Sequence, residues 1–434
     1  MTTQPMRKNA RILAASIVGT AVEYYDFYLY GYAAALVFGP LFFPVKSPAA
    51  QTLLAFMSFG IAFVARPIGA IVFGHFGDRI GRKTTLVASL LLMGSCTLAI
   101  AFLPTYAMAG WLAPLLLCLA RFGQGFGLGG EWAGAALLSV EYAPKGWDCR
   151  FGMMPALGAA LGNIIATAVF LLTGMILSEG QFLTWGWRIP FLASAILIAI
   201  GLWVRLKIAE TPEFREALDN EQPPRVPILR LFAEQPWAVL AGAASVVCGF
   251  ALVYMAGPFA LAQGTGLIGY HRDSFLLVQL AALVCALPLI IIFAFGSDRT
   301  TKTRYFSRAM LAVVPIGLAL GPGLGSGSLW IAGVTLFALD ACWAVINGSS
   351  SAWLCRLYPV RLRYSGFAFA FNTGGLIGGA VIPIVAQMLS SAGGLAYVGL
   401  ILSGTGLLSF AAIAHTQRSS HGTPPAVPEP APAT

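Results

Sequence analysis

Gly74-His75-Phe76-Gly77-Asp78-Arg79-Ile80-Gly81-Arg82-Lys83 decides the fold of this chain. It sets one acid, three fully basic residues and three glycines between two stretches, 50–75 and 84–103, too apolar to be anything but membrane spans. A hairpin that charged belongs in water. It returns in decayed form as Gly296-Ser297-Asp298-Arg299-Thr300-Thr301-Lys302-Thr303-Arg304, its Asp-Arg pair 220 residues after the first.

The composition agrees. Of the 434 residues, 58% are hydrophobic and only 10% charged, where a soluble domain carries about a quarter charged. The apolar stretches are about 20 residues or longer, enough as helix to cross a hydrocarbon core of about 30 Å while pairing their own backbone polar groups. Hydropathy places twelve spans at 12–38, 50–75, 84–103, 111–140, 151–178, 188–206, 237–263, 273–295, 307–324, 328–355, 365–390 and 393–414. The first is too long, and carries Glu23 and Asp26 too near its middle, to be a cleaved signal peptide. No stretch is left for a soluble catalytic domain.

Orientation follows from the cations. With the N-terminus inside, 21 of the 26 Lys and Arg fall in cytoplasmic segments, Lys46, Arg188 and Arg272 lie outside, and Arg66 and Arg121 lie within spans. That asymmetry puts both termini in the cytoplasm. It also accounts for the net charge of +9 without any nucleic-acid partner. Six of the seven cysteines sit in or at the ends of spans with no C-x-x-C or Cys/His spacing, so neither disulfides, a metal nor a cofactor is expected.

The hydrophilic insertion 209–236 divides an N-terminal six-helix unit, 1–208, from a C-terminal one, 237–415, and the Pro/Ala-rich tail 416–434 reads as disordered. A second landmark repeats across the divide. Glu141-Tyr-Ala-Pro144, followed by Arg150 and Gly152, matches Arg356-Leu-Tyr-Pro359, followed by Arg363 and Gly366, at an offset of 215. Two landmarks at nearly one offset indicate an internal duplication, whose halves would surround a central site.

Charges inside a membrane are costly and mark function by default. By helical rise Asp26 lies roughly 20 Å from the cytoplasmic end of its span, Arg66 lies about 15 Å from the hairpin with Glu131 at similar depth, and Arg121 is some 15 Å further out. Arg121 is followed at i+3 by Gln124, and the glycines around them let another helix approach. A planar guanidinium suits a carboxylate, while a buried acid can carry a proton. Arg121, Gln124, Tyr25 and Asn372 are the substrate-binding candidates. Asp26, Glu131 and Asp340 are proton-site candidates, and Arg66 and Glu23 are further intramembrane charges. The alternative is plain neutralisation, Arg121 with Asp26 or Glu23 and Arg66 with Glu131.

The chain resembles bacterial metabolite:proton symporters of the major facilitator superfamily. The resemblance runs through Glu23-Tyr-Tyr-Asp26-Phe27, Arg66-Pro67-Ile68-Gly69, the opening hairpin, Gln124-Gly125-Phe126, Gly129-Gly130-Glu131-Trp132, Trp185-Gly-Trp187-Arg188-Ile-Pro190-Phe191, Glu210-Thr-Pro212-Glu213 and Arg363-Tyr364-Ser365-Gly366. The runs 73–79 and 130–141 are most similar to the shikimate symporter branch. The resemblance implies an all-α membrane protein, two pseudo-symmetric six-helix bundles, and proton-coupled uptake of a small organic acid by alternating access. It implies a monomer in the bacterial inner membrane, with proline/betaine-type symport or drug efflux as alternatives; no enzyme motif is present. Gly74, Asp78, Arg79, Gly81, Arg82, Glu141, Asp298, Arg299 and Arg363 would form the cytoplasmic gate. Where the family has Glu before Phe-Pro after the tenth span, this chain has Arg356-Leu-Tyr358-Pro359, a reversal of charge. Beside the eroded second hairpin, this predicts two unequal latches with the Asp78 one stronger.

Overall fold

The computed structural model describes residues 6, 9–80, 82–129, 131–207, 227–300, 303–359 and 362–421. Within these, the side chains of 11–12, 74–75, 77–80, 82–83, 205, 207, 227–230 and 418–421 are outside the description. Every regular element among the described residues is helical. Helix α1 is Ala10–Ala33, prolonged through a wider turn, Ala34–Phe38, to Gly39–Phe42. It is followed by α2 (Pro48–Ile80), α3 (Arg82–Ala101), α4 (Leu112–Glu141), α5 (Asp148–Ile176) and α6 (Arg188–Lys207). The second half comprises α7 (Pro236–Ile268), α8 (Arg272–Arg299), α9 (Arg304–Leu324), α10 (Leu329–Leu357), α11 (Arg363–Gly393) and α12 (Leu395–His421).

Ten described helices are long and apolar enough to cross a membrane, and α6 with the preceding Glu179–Gly186, bent by 51°, supplies an eleventh. Helix α1 has the length but not the hydropathy, because Glu23, Asp26 and tyrosines 24, 25, 28, 30 and 32 crowd its middle. All seven of these side chains are buried. The helix lies at the centre of the molecule, where polar atoms meet protein instead of lipid.

Packing repeats with the duplication. In the first half α1 packs on α5, α2 on α4 and α3 on α6; adding six to each number gives α7 on α11, α8 on α10 and α9 on α12. The halves meet along α2 with α11 and, symmetrically, α5 with α8. In α7, Pro258 has no N–H to give Tyr254, and the adjacent Gly257 leaves helical geometry at φ −87°, ψ −105°. The kink lies against α1, where a Cβ on Gly31 would come within 2.7 Å of the Pro258 ring.

Two expectations need correction. The opening motif is mostly helix rather than loop: α2 runs to Ile80 and α3 begins at Arg82, and α8 likewise carries Asp298 and Arg299. A helix projecting past the apolar layer serves charged residues as well as a loop does. The expected tail begins as helix, since α12 continues to His421. Residues 209–226 and 422–434 lie outside the described residues, and Pro227–Glu234 forms a short helix in the central insertion.

Helices α2 and α4 touch backbone to backbone. A Cβ on Gly125 would strike the Ala62 carbonyl, one on Gly129 the Arg66 carbonyl, and one on Gly69 the Phe126 carbonyl. This approach fixes Arg66 and Arg121 in one layer. Gly125→Ala should lower stability by about 1–3 kcal/mol through overpacking, read as a fall in thermal midpoint in detergent. Gly404→Ala on α12, where a Cβ meets nothing within 4 Å, should leave the midpoint equal or slightly higher.

Candidate functional site

The centre of the N-terminal half is built around Phe27 on α1. The Arg66 guanidinium carbon lies 4.3 Å from its ring centroid and that of Arg121 lies 4.0 Å from it. Further rings enclose each: Phe63 at 4.6 Å from Arg66, and Tyr30 and Phe59 at 4.2 and 4.6 Å from Arg121. Each such contact is worth about 0.5–2 kcal/mol. Both arginines are at most 2% exposed, and neither forms a salt bridge with a carboxylate among the described residues. Rings do not discharge a cation. An unpaired charge in such surroundings costs several kcal/mol.

The neutralising pairs that the sequence left open do not form. Arg121 donates through Nε to the Phe59 carbonyl at 3.3 Å and through Nη1 to Gln124 Oε1 at 3.1 Å. Gln124 Nε2 donates to Thr97 Oγ1 at 2.8 Å, and Thr97 Oγ1 donates to Asp26 Oδ2 at 2.9 Å. Four side chains from α4, α3 and α1 therefore form one hydrogen-bonded chain with an acid at one end and a cation at the other. Thr97 carried no signal in sequence, since a threonine in an apolar helix usually bonds its own backbone. It also does so here, with the Met93 carbonyl 3.0 Å away. Buried atoms without a hydrogen-bond partner collect around this layer: Asp26 Oδ1, Arg66 Nε and Nη2, Arg121 Nη2, and the Tyr28 and Tyr254 hydroxyls.

Glu131 accepts from Ser89 Oγ of α3, and it and Glu23 are both buried. Asp340 of α10, also buried, has no ion pair or hydrogen bond among the described residues.

A cavity lies between the halves, lined by Tyr24, Tyr28, Trp132, Phe250, Trp343 and Phe371 with Ser245, Asn347 and Ser350 among the polar groups. Tyr25, singled out from sequence, points elsewhere and donates to the Pro190 carbonyl at 2.7 Å. Tyr24 and Tyr28, one helical turn apart, form the cavity wall instead. Neither Arg121 nor Gln124 is among the residues lining it, and Asn372 donates across the halves to the Gly129 carbonyl at 3.2 Å. Next to it Trp132 stacks on Phe371, centroids 3.7 Å apart and planes 12° apart.

At the end of the molecule that carries the opening hairpin, two ion pairs among the described residues join the halves. Arg150 Nε lies 3.3 Å from Asp298 Oδ2, and the Cys149 and Arg150 backbone N–H groups donate to the same carboxylate at 2.9 and 3.1 Å. Arg356 pairs with Asp148. The reversed charge at Arg356 thus has its own partner, and the Asp298 carboxylate is engaged, while the Asp78 side chain with which it was to be compared lies outside the described residues. Of the gate candidates, Gly81 and the side chains of Gly74, Asp78, Arg79 and Arg82 lie outside the described residues. Glu141 and Arg299 are exposed, and Arg363 is half-buried. At the opposite end Arg272 Nη2 donates to the Gly174 carbonyl at 3.2 Å, joining α8 to α5.

A profile of the Major Facilitator Superfamily matches residues 16–381. The chain belongs to that superfamily. It is a secondary transporter and not an enzyme. The chain is 38% identical over 422 residues to the inner membrane metabolite transport protein YhjE of Escherichia coli K12, covering 96% of each. It is 35% identical over 393 residues to the shikimate transporter of the same organism, covering 89% of each. It is 28% identical over 432 residues to the proline/betaine transporter of Salmonella typhimurium, covering 96% of this chain and 86% of that one. The crystal structure of a D-xylose-proton symporter has the same fold, with TM-score 0.74 at 17% identity over 94% of this chain and 96% of that one.

Cys149, 1% exposed at the Asp298 latch, reports on this contact. Asp298→Asn should raise its maleimide labelling several-fold, mapped by mass spectrometry. Glu141→Gln, at an exposed site away from the pair, should leave labelling unchanged.

Proposed function

We propose that the protein imports a small organic acid together with protons across the bacterial inner membrane, by alternating access of its two six-helix halves, with both termini in the cytoplasm and the monomer as the working unit. The observation that carries this reading is the charge balance around Phe27: two buried guanidinium groups without a described carboxylate partner, beside one acid held only by a hydroxyl. An arriving carboxylate supplies the missing negative charge. The relatives named for shikimate and metabolite transport are in keeping with such a ligand.

Thr97 is the element that senses the proton. Its single hydroxyl hydrogen has two acceptors, Asp26 Oδ2 and the Met93 carbonyl, while it accepts from Gln124. With Asp26 ionised, the hydrogen turns to the carboxylate. With Asp26 protonated, the acid donates to Thr97 and the hydrogen turns to Met93. The protonation state is thereby passed to Gln124 and on to Arg121 without any ion pair being broken. The ion pairs of Asp298 and Asp148 close the cytoplasmic end, and Arg272 closes the other.

A second reading has its own observation. Asp340, buried in the C-terminal half without an ion pair, would accept the cationic end of a zwitterion of the proline/betaine kind. Asp340→Asn would then abolish betaine binding while sparing simple acids.

Uptake into liposomes of purified protein tests the main reading. A gradient of one pH unit drives up to about tenfold accumulation per proton. Asp26→Asn and Thr97→Val should reduce accumulation to the equilibrium level while preserving substrate exchange, and Thr97→Ser should restore it. Accumulation by the unaltered protein after collapse of the proton gradient would contradict symport.

A further inference from the structure

We propose that Gln279 of α8 is a positioning residue for transport: its amide holds α7 broken at Gly257-Pro258 and so sets how segment 260–268 lies against α1 of the other half. The inference rests on the alternating-access reading above and names one joint that such a motion uses. Gln279 is 2% exposed. Its Nε2 donates to the Ala256 carbonyl at 2.8 Å and to the Gly257 carbonyl at 2.9 Å, the two residues that lead into Pro258. Carbonyls only accept, so this pair fixes which way the amide faces. It leaves Oε1 buried and without a hydrogen-bond partner. A side chain that only filled space would not bury an unpaired polar atom, and both hydrogens of this one are spent on the break.

Helix α1 supplies the comparison. It carries the same dipeptide, Gly39-Pro40, directly after its own wide turn, Ala34–Phe38. There Gly39 stays helical at φ −52°, ψ −68°, and its carbonyl accepts the Phe43 N–H at 3.0 Å. Gln51 of the neighbouring α2 donates elsewhere, to the Val45 carbonyl at 2.7 Å. A Gly-Pro pair alone therefore does not break a helix in this molecule. In α7, where Gly257 turns to ψ −105°, the carbonyls have an amide to turn toward.

What the break positions is a contact between the halves. Pro258 meets α1 at Gly31, and a Cβ on Gly257 would come 3.6 Å from the Tyr32 hydroxyl. That hydroxyl is tied to α5, donating to Asn163 Oδ1 at 2.6 Å and accepting from Thr167 Oγ1 at 2.9 Å. Beyond the break, Ala260–Gln263 packs on the wide turn of α1. Gln263 Nε2 donates to Gln387 Oε1 at 2.6 Å, and Ser390 Oγ donates to Gln263 Oε1 at 2.8 Å, which ties the segment to α11. Segment 260–268 thus has an anchor on α11, a joint at Gly257, and Gln279 as the brace of that joint.

Hydrogen–deuterium exchange of the purified full-length protein, read by mass spectrometry, tests the joint, and shikimate exchange across liposomes at equal pH tests its role in transport. Gln279→Met keeps the length of the side chain and removes both donors. It should speed exchange of the backbone amides 259–268 about tenfold or more, while those of 237–250 stay within about twofold. Shikimate turnover should fall several-fold with KM within about twofold. Pro258→Ala returns an N–H to the joint and should slow amide exchange there, and in that background Gln279→Met should add little. Should Gln279→Met not fold, Pro258→Ala and Gln279→Glu, which has the shape of glutamine but no N–H, decide by the same measures. Unchanged exchange at 259–268, a rise spread evenly over both halves, or the full effect persisting beside Pro258→Ala overturns the assignment. Local loosening with unchanged shikimate turnover overturns the role in transport. If the unaltered protein exchanges no shikimate, the organic-acid reading loses that substrate, and the amide exchange still decides the joint.

Discussion

The arrangement depends on one aromatic ring carrying two cations. Phe27 stands between the Arg66 and Arg121 guanidinium groups at 4.3 and 4.0 Å, in a layer where water is excluded and no described carboxylate answers either charge. Such a layer is tolerable only if the surrounding rings hold the cations, and on the proposed reading an anion from outside completes the balance. The glycine contacts between α2 and α4 bring the two arginines into that layer. The polar middle of α1, which costs that helix its hydropathy, supplies both the ring and the acid.

The two arginines differ in their hydrogen bonds. Arg121 is tied through Gln124 and Thr97 to Asp26. Arg66 keeps Nε and Nη2 without a hydrogen-bond partner among the described residues. Both lie against Phe27, so a change at either is felt by the other through a shared neighbour and through charge repulsion.

Much of this was legible in the sequence because hydropathy and charge asymmetry are local properties. The helices of both halves, their duplication and the burial of Asp26, Arg66, Arg121, Glu131 and Asp340 all follow from them. The face that each side chain occupies is a finer matter. Tyr25 and Tyr24 differ by one residue, yet a 100° step around the helix sends one to Pro190 and the other to the cavity. Thr97 was invisible because helical threonines ordinarily bond their own backbone. The Arg356 reversal looked like decay because its partner, Asp148, is far away in sequence and on the other half. Glycine and charge mark turns in a sequence, whereas here the hairpin residues continue helices, to Ile80 in α2 and to Arg299 in α8.

The central claim is that binding of an anion in this layer is linked to a proton at Asp26. Calorimetric titration of shikimate or benzoate in buffers of differing ionisation enthalpy counts the protons taken up with each ligand. At a pH where Asp26 is ionised before binding, the account predicts uptake of about one proton per acid bound, and none in Asp26→Asn. Tight binding of an acid by the unaltered protein with no proton uptake at any pH would contradict it.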